Sequence, residues 1–374
     1  MILSIFSNIQ TLLYVLLSLA GISFLITFHE LGHFLICKLF DIKTVSFSIG
    51  FGPRLIEKKI GETTFALSAI PMGGYVEIAG ANEIGQGEQK ESHAKDKRSF
   101  AQKPYYQKMA VIFGGILFNL MFSFAAFSAL YYIGMPKSPL LFLKHGKPVI
   151  ESVSPDSPAQ KAKLKAGDKI ISIDNKNLDN NIIILLEEIG QKPNQQVMLT
   201  IERAGQTQNV PVTLGEQQRG TKQVGLLGVA FEGGELPRYG FVQAIKEGFN
   251  STMYFFTQTF NTFKNMITSR KLDGVTGPIG IISHVFGAAK TGFPIFLLWL
   301  AIISISLAAL NVIPLPIFDG GQALTYTIEA LIRRELPEKV KVAIHLATWG
   351  LLLLLTVYIT FNDLKRIVMQ FLGK

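Results

Sequence analysis

The sequence is poor in cysteine, tryptophan and charge. Among its 374 residues there is one Cys, there are two Trp, and Asp, Glu, Lys and Arg together make up 17%. A single cysteine, Cys37, excludes an intrachain disulfide. It is read as a small apolar residue for a buried position. Few charges against 48% hydrophobic residues argue for an integral membrane protein rather than a soluble one. No repeat of fixed period occurs. The net charge is +9, yet no basic stripe with interleaved aromatics is present, so nucleic acid is not an expected partner. Lys and Arg are also missing from Met1 to Ser23. The N-terminal apolar run therefore lacks the positive start of a secretory signal. It is too long for one and has no small-residue cleavage site, so it is expected to be a retained span.

Four runs are long and apolar enough to cross a bilayer, at about 11–36, 108–133, 293–313 and 341–361. Basic residues set their direction. The loop between the first two carries Lys38, Lys43, Arg54, Lys58, Lys59, Lys90, Lys95, Lys97, Arg98 and Lys103. The connection before the last carries Arg333, Arg334 and Lys339. The positive-inside rule places both in the cytosol, and segment 134–292 outside. Lys365, Arg366 and Lys374 run mildly against that arrangement, but the first helix usually dominates.

Within the first run stands His29-Glu30-Leu31-Gly32-His33. Between Thr11 and Ile36 these two histidines and Glu30 are the only acidic or basic side chains. On a helix, positions i and i+4 share a face, so both imidazoles can bind one zinc ion. The glutamate between them is placed as general base for the attacking water. A lone histidine on an apolar face is more often a packed residue than a ligand. Three ionisable groups in a membrane span, at metal spacing, are hard to explain as packing.

A protease-type zinc site needs a third protein ligand and an open position. Glu57 sits in the charged loop between Ile56 and Lys58. Asp319 is the better candidate, following Asn311-Val312-Ile313-Pro314-Leu315-Pro316-Ile317-Phe318. His29 lies roughly 27 Å along its helix from Thr11, toward the cytosolic side. Asp319 follows a third span that runs the same way, so the two arrive at similar depth. Pro314 and Pro316 break the helix. Broken backbone at membrane depth is tolerated where it is buried or lines a watery cavity. An ordinary Asp-Gly turn at the membrane edge is the plainer alternative.

The loops have structure of their own. In the first, Val45–Pro53 holds Gly50-Phe51-Gly52-Pro53. Thr63–Ser68 alternates like a strand, and Met72–Ile78 follows as a second short strand, so hairpins are expected. Gly80–Lys97 is polar and expected to be flexible. The outer segment reads as a compact α+β domain over 147–215. It offers a strand at Pro148–Val153, a Ser-capped helix at Ser157-Pro158-Ala159, a turn at Ala166-Gly167-Asp168 into Lys169–Ile173, and two more strands between Gln195 and Val212. Between Gly240 and Ser269, Phe241, Ala244, Ile245, Phe249, Phe255, Phe256 and Phe260 recur near helical spacing. That stripe is expected either on the outer leaflet or against the soluble domain.

With these residues in place, the chain resembles the site-2 protease family of intramembrane zinc metalloproteases, in the bacterial branch that cleaves anti-sigma factors. The likeness covers nearly the whole chain. Its metal-helix motif falls on His29, Glu30 and His33, and its N-x-x-P-x-P-x-x-D-G motif on Asn311, Pro314, Pro316, Asp319 and Gly320. The resemblance implies a polytopic α-helical membrane protein of about four spans, with a membrane-associated β-hairpin region and one inserted PDZ-like domain. It implies Zn2+ held by His29, His33 and Asp319, with Glu30 as catalytic base. Asn311 is implied as an oxyanion contact. Gly73, Gly74 and Tyr75 would belong to the hairpin that holds substrate extended, and Asn119 would be a substrate contact.

There are departures from the family pattern. Related members carry two PDZ modules and this chain has room for one. Ile116 replaces a Pro in Gly115-Ile116-Leu117-Phe118-Asn119, Lys163 replaces a Gly in the PDZ turn, and Gln322 replaces a His.

The expected layout is an N-terminal membrane region over residues 1–146, a PDZ-like domain over 147–215, an extracytoplasmic amphipathic or linker region over 216–292, and a C-terminal membrane region over 293–374. The expected function is cleavage, in the cytoplasmic (inner) membrane, of single-span membrane proteins already trimmed by an upstream site-1 type protease. Membrane lipid is the other expected partner. The alternative from a different class is a metal-binding membrane adaptor or chaperone without catalysis. The intact Glu30 weighs against it.

Overall fold

The computed structural model describes residues 9–81, 96–136, 146–219, 222–232, 238–269 and 277–371. Most of the polar stretch expected at Gly80–Lys97 lies outside them. The chain forms two compact units, Met1–Tyr132 with Tyr239–Lys374, and Ile133–Arg238.

Helix α1 spans Ile9–Leu39 and carries the histidine motif. It is apolar on all sides, and its buried positions include Ser18, Gly21, Leu25, His29 and Gly32, spaced three or four apart. In lipid, small residues let helices approach, and close packing then supplies the attraction. A Cβ on Gly21 would lie 2.8 Å from the ring of Phe296.

Strands β1 (Thr44–Ile60) and β2 (Thr63–Ile78) follow as one antiparallel hairpin. The two short strands expected at Thr63–Ser68 and Met72–Ile78 are one continuous strand. The hairpin folds back on itself. The start of β1 pairs with the end of β2 (Phe47↔Val76, Ile49↔Gly74) and also with its beginning (Phe47↔Phe65, Ile49↔Leu67). In the second set the partner numbers rise together, so those rows run in the same direction. The outcome is four rows, with Gly74–Ile78 at one edge and Arg54–Ile60 at the other. Gly50 and Gly73 permit the fold: their φ angles are +87° and +140°, and a Cβ on Gly73 would enter the ring of Phe51.

Helix α2 spans Tyr105–Ile133. The second unit then begins with β3 (Ile150–Val153) and the short helix α3 (Pro158–Lys161). Ser157 caps α3, its Oγ accepting from the Gln160 N–H at 3.2 Å. Next come β4 (Lys169–Ile173), β5 (Lys176–Asn177), helix α4 (Ile182–Gly190), β6 (Gln196–Arg203) and β7 (Gln206–Thr213). These four strands form a sheet in the order β5-β4-β6-β7. Its core gathers Ile150, Ile170, Ile173, Leu185, Leu199 and Ile201. Lys163 has φ +58°. Arg203 Nη2 donates to its carbonyl at 3.0 Å and secures the turn.

The unit continues past residue 215, the expected domain end. A hairpin of β8 (Gly215–Arg219) and β9 (Lys222–Leu226) leads to β10 (Val229–Phe231), which pairs antiparallel with β3. A domain closed at 215 would leave one edge of β3 unpaired and Leu227 outside the core it fills.

Returning to the first unit, helix α5 spans Phe241–Ser269. Part of its aromatic stripe packs on α2, while Phe241, Ile245 and Phe249 stay exposed. Phe255 stacks on Phe127 with centroids 5.4 Å apart, and the Tyr131 and Ser251 hydroxyls are 2.7 Å apart. Helix α6 (Pro278–Thr291) is followed by α7 (Phe293–Val312), α8 (Asp319–Ile332) and α9 (Glu338–Phe371). Asp363 of α9 accepts from the Gly280 N–H at 2.9 Å and so caps α6 from another helix. Among the described residues, Ile9–Leu39, Tyr105–Ile133, Phe293–Val312 and Glu338–Leu364 are long and apolar enough to cross a membrane. They correspond to the four expected runs.

Candidate active site

Helix α1 presents His29, Glu30 and His33 beside the broken segment between α7 and α8. The His29 and His33 Nε2 atoms are 3.1 Å apart. Asp319 Oδ2 lies 3.2 Å from the first and 3.6 Å from the second. All three groups are shielded, with side-chain exposures of 10–12%. These are the three residues among those described whose ligand atoms gather within 4.8 Å for a metal ion. Glu57, the alternative third ligand, is paired with Arg54 on an exposed strand.

The donor chemistry tests whether a metal fits. His33 Nδ1 faces the Val111 carbonyl at 2.8 Å. A carbonyl only accepts, so Nδ1 carries the hydrogen and Nε2 offers a bare lone pair. Asp319 Oδ2 is buried without a sound hydrogen-bond donor. Lone pairs thus converge with little hydrogen between them. Donors around a tetrahedral zinc ion stand about 3.3 Å apart. The observed 3.1, 3.2 and 3.6 Å match that spacing.

Glycines make the approach possible. The backbones of Gly32 in α1 and Gly114 in α2 meet so closely that a Cβ on Gly32 would strike the Gly114 carbonyl. On the other side, α7 ends before Pro314, and α8 begins at Asp319. Cβ atoms on Gly320 and Gly321 would collide with the carbonyls of Val312 and Leu315. The double glycine lets the break fold tightly enough to bring Asp319 to the histidines. Its place in the first turn of α8 also suits a carboxylate, because the helix dipole is positive there.

The β-hairpin closes another side. The Val76 N–H donates to the Glu30 carboxylate. A Cβ on Gly74 would lie 3.8 Å from Glu30 Cγ, so the edge row Gly74–Ile78 passes directly beside the candidate base. A cavity of about 140 Å³ adjoins these groups. Its walls include Val76, Ile78, Val111, Asn311, Ile317 and Gln322. Asn311 faces it while its Nδ2 donates to the Leu307 carbonyl at 3.0 Å.

Of the remaining expected site residues, Tyr75 and Gly73 point away from the cluster and Asn119 meets it from behind. Tyr75 stacks on Phe51 and receives a hydrogen bond from Arg54, on the face of the strand away from Val76. Gly73 lies against Phe51. Asn119 is fully buried and meets His29 Nδ1 at 3.1 Å. Sequence reasoning missed the contributions of Val76, Val111 and Gly32. The paired Gly114-Gly115 inside a span was the available signal for the close helix contact.

The sequence matches peptidase family M50 over residues 17–355. A Clostridium perfringens protein named as a zinc metalloprotease is 32% identical over 357 residues, covering 94% of this chain and 98% of its own. The zinc metalloprotease RasP of Geobacillus kaustophilus is 28% identical, covering 91% of this chain and 95% of its own. A solved PDZ domain from an SdrC-like protein of Listeria monocytogenes aligns with 24% of the chain and 90% of its own length, at 19% identity and a TM-score of 0.21. Matched along nearly its whole length, with His29, Glu30, His33 and Asp319 assembled at one point, the chain belongs to peptidase family M50.

Proposed function

We propose that this peptidase is an intramembrane endopeptidase that cuts the transmembrane segments of single-span membrane proteins. The observation that carries the reading is the position of the His29–His33–Asp319 cluster. It joins a membrane-length helix, which carries both histidines, to the broken segment that follows another such helix, beside an edge of a β-sheet that is open among the described residues. Zinc held by these three side chains would supply Lewis acidity toward the scissile carbonyl and activate water for attack.

The chain's own residues do the rest. Glu30 takes the proton from the attacking water and returns it to the leaving amine. The Val76 N–H keeps its carboxylate turned to the site. A helical substrate hides its amides in its own hydrogen bonds and must unwind before attack. Among the described residues, Gly74–Ile78 pairs with β1 on one side only. Its other side can accept an unwound substrate as an added strand and replace the bonds it loses. Asn311 lines the cavity and is suited to steady the developing oxyanion.

The basic loops argue for a cytosolic active-site side and an extracytoplasmic residue 133–238 unit, in the inner membrane. We read that unit as PDZ-like. Its place between spans suits a filter that admits substrates after an upstream site-1 type protease has trimmed them. Anti-sigma factors and signal-peptide remnants are substrates of this kind.

Quantitative membrane proteomics of cells carrying wild type or Glu30→Gln under envelope stress tests the reading. Single-span stubs should accumulate in the variant alone. Identical membrane proteomes, with both proteins expressed and zinc-loaded, would contradict it.

A further inference from the structure

We infer that Asn119 is a positioning residue of the metal centre, which holds His29 with its Nε2 turned to Asp319. The inference rests on the metal reading above. His29 stands on α1 and Asn119 on α2. The Asn119 side-chain amide lies 3.1 Å from His29 Nδ1, on the side of the ring opposite the nitrogen that faces Asp319. An imidazole that offers Nε2 to a metal carries its hydrogen on Nδ1 and needs an acceptor there. For His33 that acceptor is the Val111 carbonyl. For His29 it is the Asn119 amide. Which end of an amide is oxygen is assigned from its surroundings. With the nitrogen toward His29, the oxygen is buried with no partner. Turning the oxygen toward the His29 Nδ1–H gives it one and leaves Nε2 free to bind.

Two further observations separate this role from others. Asn119 is not among the residues that line the cavity, so it does not reach a substrate there. Its main chain is anchored independently, because its carbonyl accepts from Ser123 Oγ at 3.0 Å and Ser304 Oγ at 2.9 Å. The side chain can therefore change while the backbone stays tied to α7. The two ligand histidines are held by different devices. One rests on a main-chain carbonyl that substitution at Val111 leaves in place. The other rests on a side chain that a single substitution removes.

The test is zinc affinity of the detergent-purified full chain, by competition with a chromogenic chelator. Asn119→Leu keeps the bulk and removes the acceptor, and affinity should fall about 10–100-fold, as when partners behind metal-bound histidines are lost. Asn119→Asp keeps an acceptor and should stay within about threefold of wild type by the same reasoning. His33→Ala sets the floor, and thermal unfolding of the zinc-free proteins shows whether each variant is folded. A wild type that binds zinc alongside an equally tight Asn119→Leu overturns this inference alone. Equal losses in Asn119→Leu and Asn119→Asp, with both folded, also overturn it, because the acceptor would then be irrelevant. A wild type that takes up no zinc overturns the metal reading and this inference with it.

Discussion

Gly115 of α2 lies directly over His33 of α1: a Cβ built on it would stand 2.5 Å from His33 Nε2. The same carbon would be 2.7 Å from His29 Nε2. The second span thus packs hydrogen for hydrogen against the candidate ligands, and the site exists only because that position carries no side chain.

Gly115→Ala should therefore push both imidazoles out of register. Zinc affinity is expected to fall at least about tenfold, as for other disturbances of ligand orientation, and proteolysis with it. Gly287→Ala is the control, since nothing lies within 4 Å of a Cβ there. That substitution in a helix should be neutral or stabilising by up to about 1 kcal/mol. Zinc titration of the two purified variants, side by side, gives the comparison.

The hairpin is fastened to α1 by charge. Glu62 accepts from Arg98 Nη1 at 2.7 Å and Nη2 at 2.9 Å, and from Lys38 Nζ at 2.6 Å. Arg98, and then Lys38, hold its carboxyl far below the ordinary glutamate range, at about 2. A lowered folded-state value stabilises the fold above the unfolded value of 4.5 and is lost as pH falls toward 2. The pairs are partly exposed, so the contribution is on the order of 1 kcal/mol. Hydrogen exchange in β1 and β2 should speed up between pH 4.5 and pH 2, beyond the intrinsic change, in wild type but not in Glu62→Gln.

Asp363→Ala removes the carboxylate that caps α6 from α9. Loss of such a cap costs about 1–2 kcal/mol. The variant should melt earlier and show faster exchange at residues 278–282, while zinc binding is retained. Unchanged protection there would mean that the contact between α6 and α9 is not a cap in solution.

Local chemistry was legible in the sequence and non-local pairing was not. His29, Glu30 and His33 announce themselves because i, i+4 spacing fixes a common face. Asp319 follows because two prolines at membrane depth demand a buried or watery setting. The double use of β1 and β2 was hidden: pairing of Phe47 with both Val76 and Phe65 depends on glycine bends, and each strand alone reads as a simple hairpin arm. The stripe on α5 marked an amphipathic helix but not its partners: Phe255 meets α2, while Phe241 and Phe249 stay exposed. Val111 gave no signal, because it acts through a main-chain carbonyl that any residue has. The end of the second unit was misplaced for a related reason. β10 is three residues long, and only its pairing with β3 shows that it belongs.

The most direct test of the central claim uses purified protein and a synthetic single-span segment, with zinc content and cleavage site measured together. The account predicts one zinc per chain in wild type and a cut within the apolar span. In Glu30→Gln the zinc should remain, and cleavage should fall by about 10²–10⁴-fold, the usual worth of a general base. Cleavage by Glu30→Gln at the wild-type rate, or cleavage that survives complete removal of zinc, would contradict it.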